Sequence, residues 1–146
     1  MRLVFEYELG RRREEVWRAF DDPDNLRKWQ PTLVSVERLS GAPGQEGSVS
    51  TLSYREDGRL IALTETITIR REPDEFAGTY QSDMATNTIH NRFAVQSPWS
   101  TRWRVTVDFR FQGIWRLLGP LFRRAIERRT RADLERFKSL LESGEL

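Results

Sequence analysis

Cysteine is absent from these 146 residues, and histidine occurs once. The first absence excludes a disulfide framework, a thiol nucleophile and a thiolate metal site. The second leaves any imidazole-based metal centre or Ser-His-Asp triad dependent on His90 alone, and no carboxylates sit at ligand spacing near it. No metal is therefore expected. Lysine is also scarce: Arg outnumbers Lys by 22 to 2, while the net charge is only +2. A genome that favours arginine codons explains that bias more simply than a nucleic-acid surface does. No apolar run approaches the ~20 residues needed to span a membrane. The opening residues MRLVFEYELG carry charges among their apolar positions and do not read as a signal peptide. A cytoplasmic location is the expectation.

What is present is the composition of a globular protein, with 38% hydrophobic and 32% charged residues. The length predicts a single domain over 1–146. The first strand is expected at Arg2–Leu9, where Leu3, Phe5, Tyr7 and Leu9 share one face. Two short helical segments follow, Arg12–Phe20 and Pro23–Trp29. Residues 48–111 then read almost wholly as strands. Ile89, Asn91, Phe93 and Val95 form one alternating face, and Trp103, Val105, Val107, Phe109 and Phe111 form another. Turn signals at Gly41–Gly47, Glu56-Asp57-Gly58, Glu72-Pro73-Asp74 and Ser97-Pro98-Trp99-Ser100 divide this region into a meander of about six strands. The G-x-x-G-x-x-G spacing of Gly41, Gly44 and Gly47 is neither a dinucleotide nor a phosphate-loop fingerprint and reads as a hairpin turn. No cofactor is expected.

The chain closes on a long amphipathic stretch, Pro120–Glu142. Leu118, Phe122, Ile126, Thr130, Leu134, Phe137 and Leu141 recur every three or four residues along it. Pro120 could start this helix or kink one begun near Ile114. Arg123, Arg124, Arg128, Arg129 and Arg131 lie mostly off the stripe and read as a solvated face. His90 alternates with Ile89 and Asn91, so it should point to the outside of the sheet.

The order of strand, two short helices, strand meander and long helix resembles the helix-grip superfamily. START-related lipid-binding domains, pathogenesis-related plant proteins and bacterial polyketide cyclase/dehydrase-like proteins share it. The resemblance is carried by Glu15-Val16-Trp17-Arg18-Ala19-Phe20, by Asp22-Pro23-Asp24-Asn25-Leu26 with Trp29 and Pro31, and by Ser35-Val36-Glu37 with the Gly44–Gly47 turn. Gly119-Pro120-Leu121-Phe122 and Ala132–Lys138 complete it. It covers essentially the whole chain. It implies an α+β fold in which a curved antiparallel sheet of about six to seven strands wraps around the C-terminal helix.

The resemblance further implies which side chains point toward that helix and could line a hollow. These are Phe5, Tyr7, Leu52, Tyr54, Phe76, Tyr80, Asn91, Phe93, Trp103, Val105 and Phe109 from the strands, with Leu3, Leu60, Ile89 and Val107 beside them. Phe122, Ile126 and Thr130 would face them from the helix. Whether Glu65 or its neighbours Thr64 and Thr66 turn inward is left open. The polar groups in this set are Tyr7, Tyr54, Tyr80, Asn91 and Thr130. A buried hydroxyl without a partner costs about 1–3 kcal/mol, so such groups should bond to one another, to water or to a ligand. A small, mostly apolar molecule with one or two oxygens suits the lining.

Three functions follow. The first is a non-catalytic carrier or sensor of a lipid-like or polyketide-like molecule. The second is a metal-independent cyclase/dehydrase-type enzyme using a tyrosine or an inward Glu65. The third is a protein- or membrane-interaction module. The sequence suggests no specific nucleic-acid partner and leaves monomer and homodimer both open.

Overall fold

A computed structural model describes all residues 1–146. Seven strands form one antiparallel sheet: β1 (Arg2–Leu9), β2 (Leu33–Ser40), β3 (Val49–Glu56), β4 (Arg59–Arg71), β5 (Glu75–Gln81), β6 (Ala85–Ser97) and β7 (Ser100–Phe111). The spatial order is β1-β7-β6-β5-β4-β3-β2. Six strands are thus a simple meander, and the first strand pairs with the last, with Arg2 opposite Asp108 and Leu9 opposite Thr101. The chain must travel from β1 at one edge to β2 at the other. Helices α1 (Arg13–Asp21) and α2 (Pro23–Trp29) make that passage.

Local chemistry explains the two helices. Glu14 and Glu15 occupy the first turn of α1 and Arg18 the last, which complements the helix dipole. Asp22 ends α1 and caps α2, accepting a hydrogen bond from the Asp24 amide at 2.9 Å, and Pro23 follows in the first turn. Arg70 of β4 donates two hydrogen bonds to Asp21, at 2.6 and 2.9 Å, and so ties the end of α1 to the sheet. The β3–β4 connection is the two-residue Asp57-Gly58 turn. Both residues have positive φ (48° and 76°), as a tight hairpin turn of the I′ type requires.

That turn sets Glu56 opposite Arg59 and therefore Leu60 opposite Arg55. Leu60 lies on the outer face, 60% exposed, and not inward as the resemblance implied. Ile61 and Leu63 take the inward places, opposite Tyr54 and Leu52. His90 does lie outside as expected, paired there with Glu75.

The C-terminal helix resolves in favour of a kink. Helical residues run from α3 (Trp115–Leu118) through a 3₁₀ turn (Gly119–Phe122) into α4 (Arg123–Glu142). Pro120 has no N–H to continue the ladder, so the helix tightens and changes course there. Gly119 is buried against Phe111, and a Cβ at that position would lie 2.3 Å from the ring.

Leu134, Phe137 and Leu141 of α4 are buried. They join Leu3, Phe5, Val16, Trp17, Phe93, Trp103 and Val105 in the larger core. Phe20 stands among the rings of Trp29, Phe76, Phe93 and Phe137, with centroids 5.3–6.0 Å away. A second, small core holds Leu33, Leu52 and Tyr54 under β2 and β3. The architecture is the helix-grip fold.

Candidate functional site

Strand register determines which side chains share the inward face of the sheet. Tyr54 and Leu52 of β3 face inward, and Ser50 lies two residues along the same strand. Ser50 opposes Glu65 of β4, and Glu65 opposes Tyr80 of β5. The question left by the sequence is therefore answered. Glu65 faces inward, and Thr64 and Thr66 face out. Tyr54, Glu65 and Tyr80 come from three neighbouring strands and lie close together beneath the helix layer.

The helix layer contributes charge to this spot. Arg129 of α4 lies over the Tyr54 ring, 5.9 Å from its centroid, and pairs with Glu56. Asp133, one turn further on, accepts a hydrogen bond from Arg136 at 2.8 Å. The Tyr54 hydroxyl donates to Gln30, just after α2, at 2.7 Å. Arg129 stays exposed as expected, with 43% of its side chain accessible, while it covers the Tyr54 ring. Arg131 is likewise exposed, pairing with Glu127 at 3.1 Å and lying over the Phe5 ring at 5.1 Å.

Burial governs the titration of this cluster. It raises the Glu65 pKa, and the Tyr80 hydroxyl beside the carboxyl only partly offsets the effect. Tyr80 is held far above the ordinary phenol range by burial and by the negative charge of Glu65. Tyr54 is raised by the same two causes. Burial raises Asp133 and lowers Arg129. Tyr80 is densely surrounded by protein, yet part of its surface stays open.

The other expected lining residues divide into three groups. Phe5, Phe93, Trp103 and Val105 are fully buried in the larger core and form solid packing. Asn91 is spent there too, donating to the Phe76 carbonyl at 3.4 Å and accepting from the Trp103 indole at 3.1 Å. Leu52 is buried beside Tyr54 in the small core. Tyr7, Phe76, Phe109, Ile126 and Thr130 are half-buried. The Tyr7 hydroxyl is buried without a hydrogen-bond partner, near Arg131 and Glu135. Phe122 is 49% exposed and packs on Trp115, with centroids 6.2 Å apart, so it faces away from the Tyr54–Glu65–Tyr80 cluster.

Position along α4 accounts for this division. The helix runs closest to α2 and β1. Its C-terminal half closes on the sheet, and its N-terminal half leaves Leu63, Glu65, Tyr80, Asn87, Ile89 and Phe109 half-buried beneath it. Two concavities, of about 600 and 320 Å³, lie outside this region, at the α1–α2 corner. No group of three or more His, Asp or Glu side chains is placed to hold a metal ion. No helix is long and apolar enough to cross a membrane.

Sequence reasoning missed Arg129, Asp133 and Gln30 and left Glu65 undecided. Only Glu65 had a usable signal, the pairing fixed by the Asp57-Gly58 turn.

Solved structures of the same shape are numerous. The Zhui aromatase/cyclase from Streptomyces sp. R1128 matches with a TM-score of 0.81 at 16% identity, over 97% of this chain and 93% of that one. An uncharacterised protein from Rhizobium leguminosarum matches with a TM-score of 0.79 at 17% identity, over 98% and 95%. Ara h 8.0201 matches with a TM-score of 0.76 at 16% identity, over 98% and 99%. At such identities the likeness is one of fold. No curated protein shows significant sequence similarity to this chain. The family model described as polyketide cyclase / dehydrase and lipid transport matches residues 6–142, and with nearly the whole sequence inside that match, the chain belongs to this family.

Proposed function

We propose that the chain acts as one domain that binds a small, mostly apolar molecule in the recess between β3–β6 and the N-terminal half of α4. The observation that carries this reading is the inward cluster of Tyr54, Glu65 and Tyr80, with Ser50 and Asn87 beside it, on a face that also carries Leu52, Ile61, Leu63 and Ile89. A fold that needed only stability would gain by placing apolar side chains there, because burying a carboxyl and hydroxyls costs free energy unless they are paired. With its pKa raised, Glu65 is more readily protonated than an ordinary carboxyl, and in that form it donates a hydrogen bond as well as accepting one. The cluster therefore suits a hydroxyl or carbonyl at one end of a lipid-like or polyketide-like ligand. A cytoplasmic carrier or sensor is the corresponding role.

Native mass spectrometry of the purified protein identifies the ligand, and titration of variants tests the site. Tyr80→Phe and Glu65→Gln should each weaken binding by about 0.5–1.5 kcal/mol, the net worth of a hydrogen bond. Unchanged affinity in both variants would remove the cluster from the binding site.

One observation favours an enzyme as a second reading. A carboxyl with a raised pKa beside a phenol is a pair suited to moving a proton. As carboxylate, Glu65 would take a proton from a carbon next to a ketone and return it to a departing hydroxyl, releasing water. Tyr80 would meanwhile hydrogen-bond the ketone oxygen. If Glu65→Gln abolishes turnover of a polyketide-like substrate while binding persists, this reading takes precedence.

A further inference from the structure

We propose that the stretch from Ile114 to Arg128 docks on an anionic lipid bilayer. The Pro120 kink presents three large aliphatic side chains to solvent: Ile114 at 65% exposure, Leu117 at 81% and Leu121 at 77%. Exposed Met84 borders them, held there by the Gln112 amide, which donates to the Met84 carbonyl at 2.9 Å. These side chains are not loose. Gly119 seats the segment against Phe111 at the end of β7, so the leucines are displayed from a fixed support. Large apolar side chains exposed this close together in one segment, on such a support, mark an interaction surface.

Charge decides what covers it. No acidic residue occurs between Gln112 and Ile126. Arg116, Arg124 and Arg128 have no ion-pair partner, and Arg123 reaches only the Arg2 carbonyl, at 3.4 Å. A second copy of the chain would bring these arginines against their own counterparts. A nucleic acid would have no use for the aliphatic side chains. An anionic bilayer satisfies both: Leu117, Leu121 and Ile114 enter the boundary of the acyl region while guanidinium groups meet lipid phosphates. The inference is independent of what the recess binds.

The test is co-sedimentation of the full chain with vesicles of phosphatidylglycerol in phosphatidylcholine, against phosphatidylcholine alone. Binding to the anionic vesicles only is expected, persisting at physiological salt. Leu117→Glu with Leu121→Glu should reduce partitioning by about tenfold or more, from the loss of buried apolar side chains. Arg123→Glu with Arg124→Glu should reduce it by about tenfold or more. All four side chains are exposed, so thermal melts should be unchanged and the loss cannot be put down to unfolding. The proposal is overturned if the parent ignores anionic vesicles or if the leucine variant binds as tightly as the parent. It is also overturned if binding collapses between roughly 50 and 200 mM salt whatever the leucines are, as purely counterion-driven contact does. A parent dimer that dissociates in the leucine variant during analytical ultracentrifugation would reassign the patch to self-association.

Discussion

Under β1, β7 and α1, the side chains of Phe93, Trp103 and Phe137 are fully enclosed, whereas under β4 and β5 Glu65 and Tyr80 remain partly open. The same helix covers both regions. Its C-terminal half offers Leu134, Phe137 and Leu141 and closes on the sheet. Its N-terminal half offers Ile126 and Thr130, both only half-buried. Stability is thus concentrated in one half of the interior, which leaves the other free to hold polar groups that a packed core would not tolerate.

The contrast can be broken most forcefully from the packed side. Trp103→Ala or Phe137→Ala should cost about 3–5 kcal/mol in denaturant unfolding. Leu63→Ala in the open half should cost clearly less, since its site is only half-buried. Equal costs would mean that the two halves do not differ in packing.

Gly119→Ala comes next. Its Cβ would meet the Phe111 ring at 2.3 Å, and the resulting strain should cost about 1–3 kcal/mol. Phe111→Ala in the same chain should return part of that loss. No recovery would show that Phe111 is not the obstacle.

Tyrosine hydroxyls sharpen the comparison further. Tyr54→Phe forfeits the bond to Gln30 and should lose about 0.5–1.5 kcal/mol of stability. Tyr7→Phe removes a buried hydroxyl that has no partner and should be neutral or slightly stabilising. Paired melts decide this, and a clear destabilisation by Tyr7→Phe would reveal a bond at that hydroxyl.

The smallest effect is a slope. Glu65 has its pKa raised from 4.5 by burial, so the folded protein binds this proton more tightly than the unfolded chain does. Above 4.5 the stability contributed by this group should therefore fall as pH rises through the folded value. Glu65→Gln removes that decline. The variant should gain on the parent as pH increases, with a slope of the same sign left by Asp133. Glu75 and Asp108 act oppositely: partners His90 and Arg2 lower their values, so their contribution is lost on acidification. Parallel profiles for parent and variant would show that Glu65 is not buried as described.

The packed half was the more legible in the sequence. Strict alternation in β1, β6 and β7 and a three-to-four spacing in α4 report burial directly, because each such side chain has a single environment. β2 was harder to see, since as an edge strand it leaves Val34, Val36 and Leu39 exposed. The open half was harder still. β4 carries aliphatics on both faces, Leu60 and Ala62 outward against Ile61 and Leu63 inward, and sets Glu65 on the inward one, so its alternation is weak, and Leu60 was assigned to the wrong side. The Asp57-Gly58 turn held the answer, because a two-residue hairpin fixes every pair that follows it. The approach of Arg129 and Asp133 to Tyr54 had no local signature. They depend on where a helix from the end of the chain crosses strands laid down much earlier.

The pairing of β1 with β7 has a consequence for how the molecule is made. Arg2 and Asp108 are 106 positions apart, and the hydrogen bonds between them join the first strand to the last. On a ribosome, β1 emerges long before its only strand neighbour exists. The sheet cannot be completed from the N-terminus onward, and contacts of such long sequence separation form slowly. Until β7 arrives, both edges of β1 present unpaired backbone to other nascent chains. Arg2, Glu6 and Glu8, which alternate along its outer face, would discourage wrong pairings during that wait.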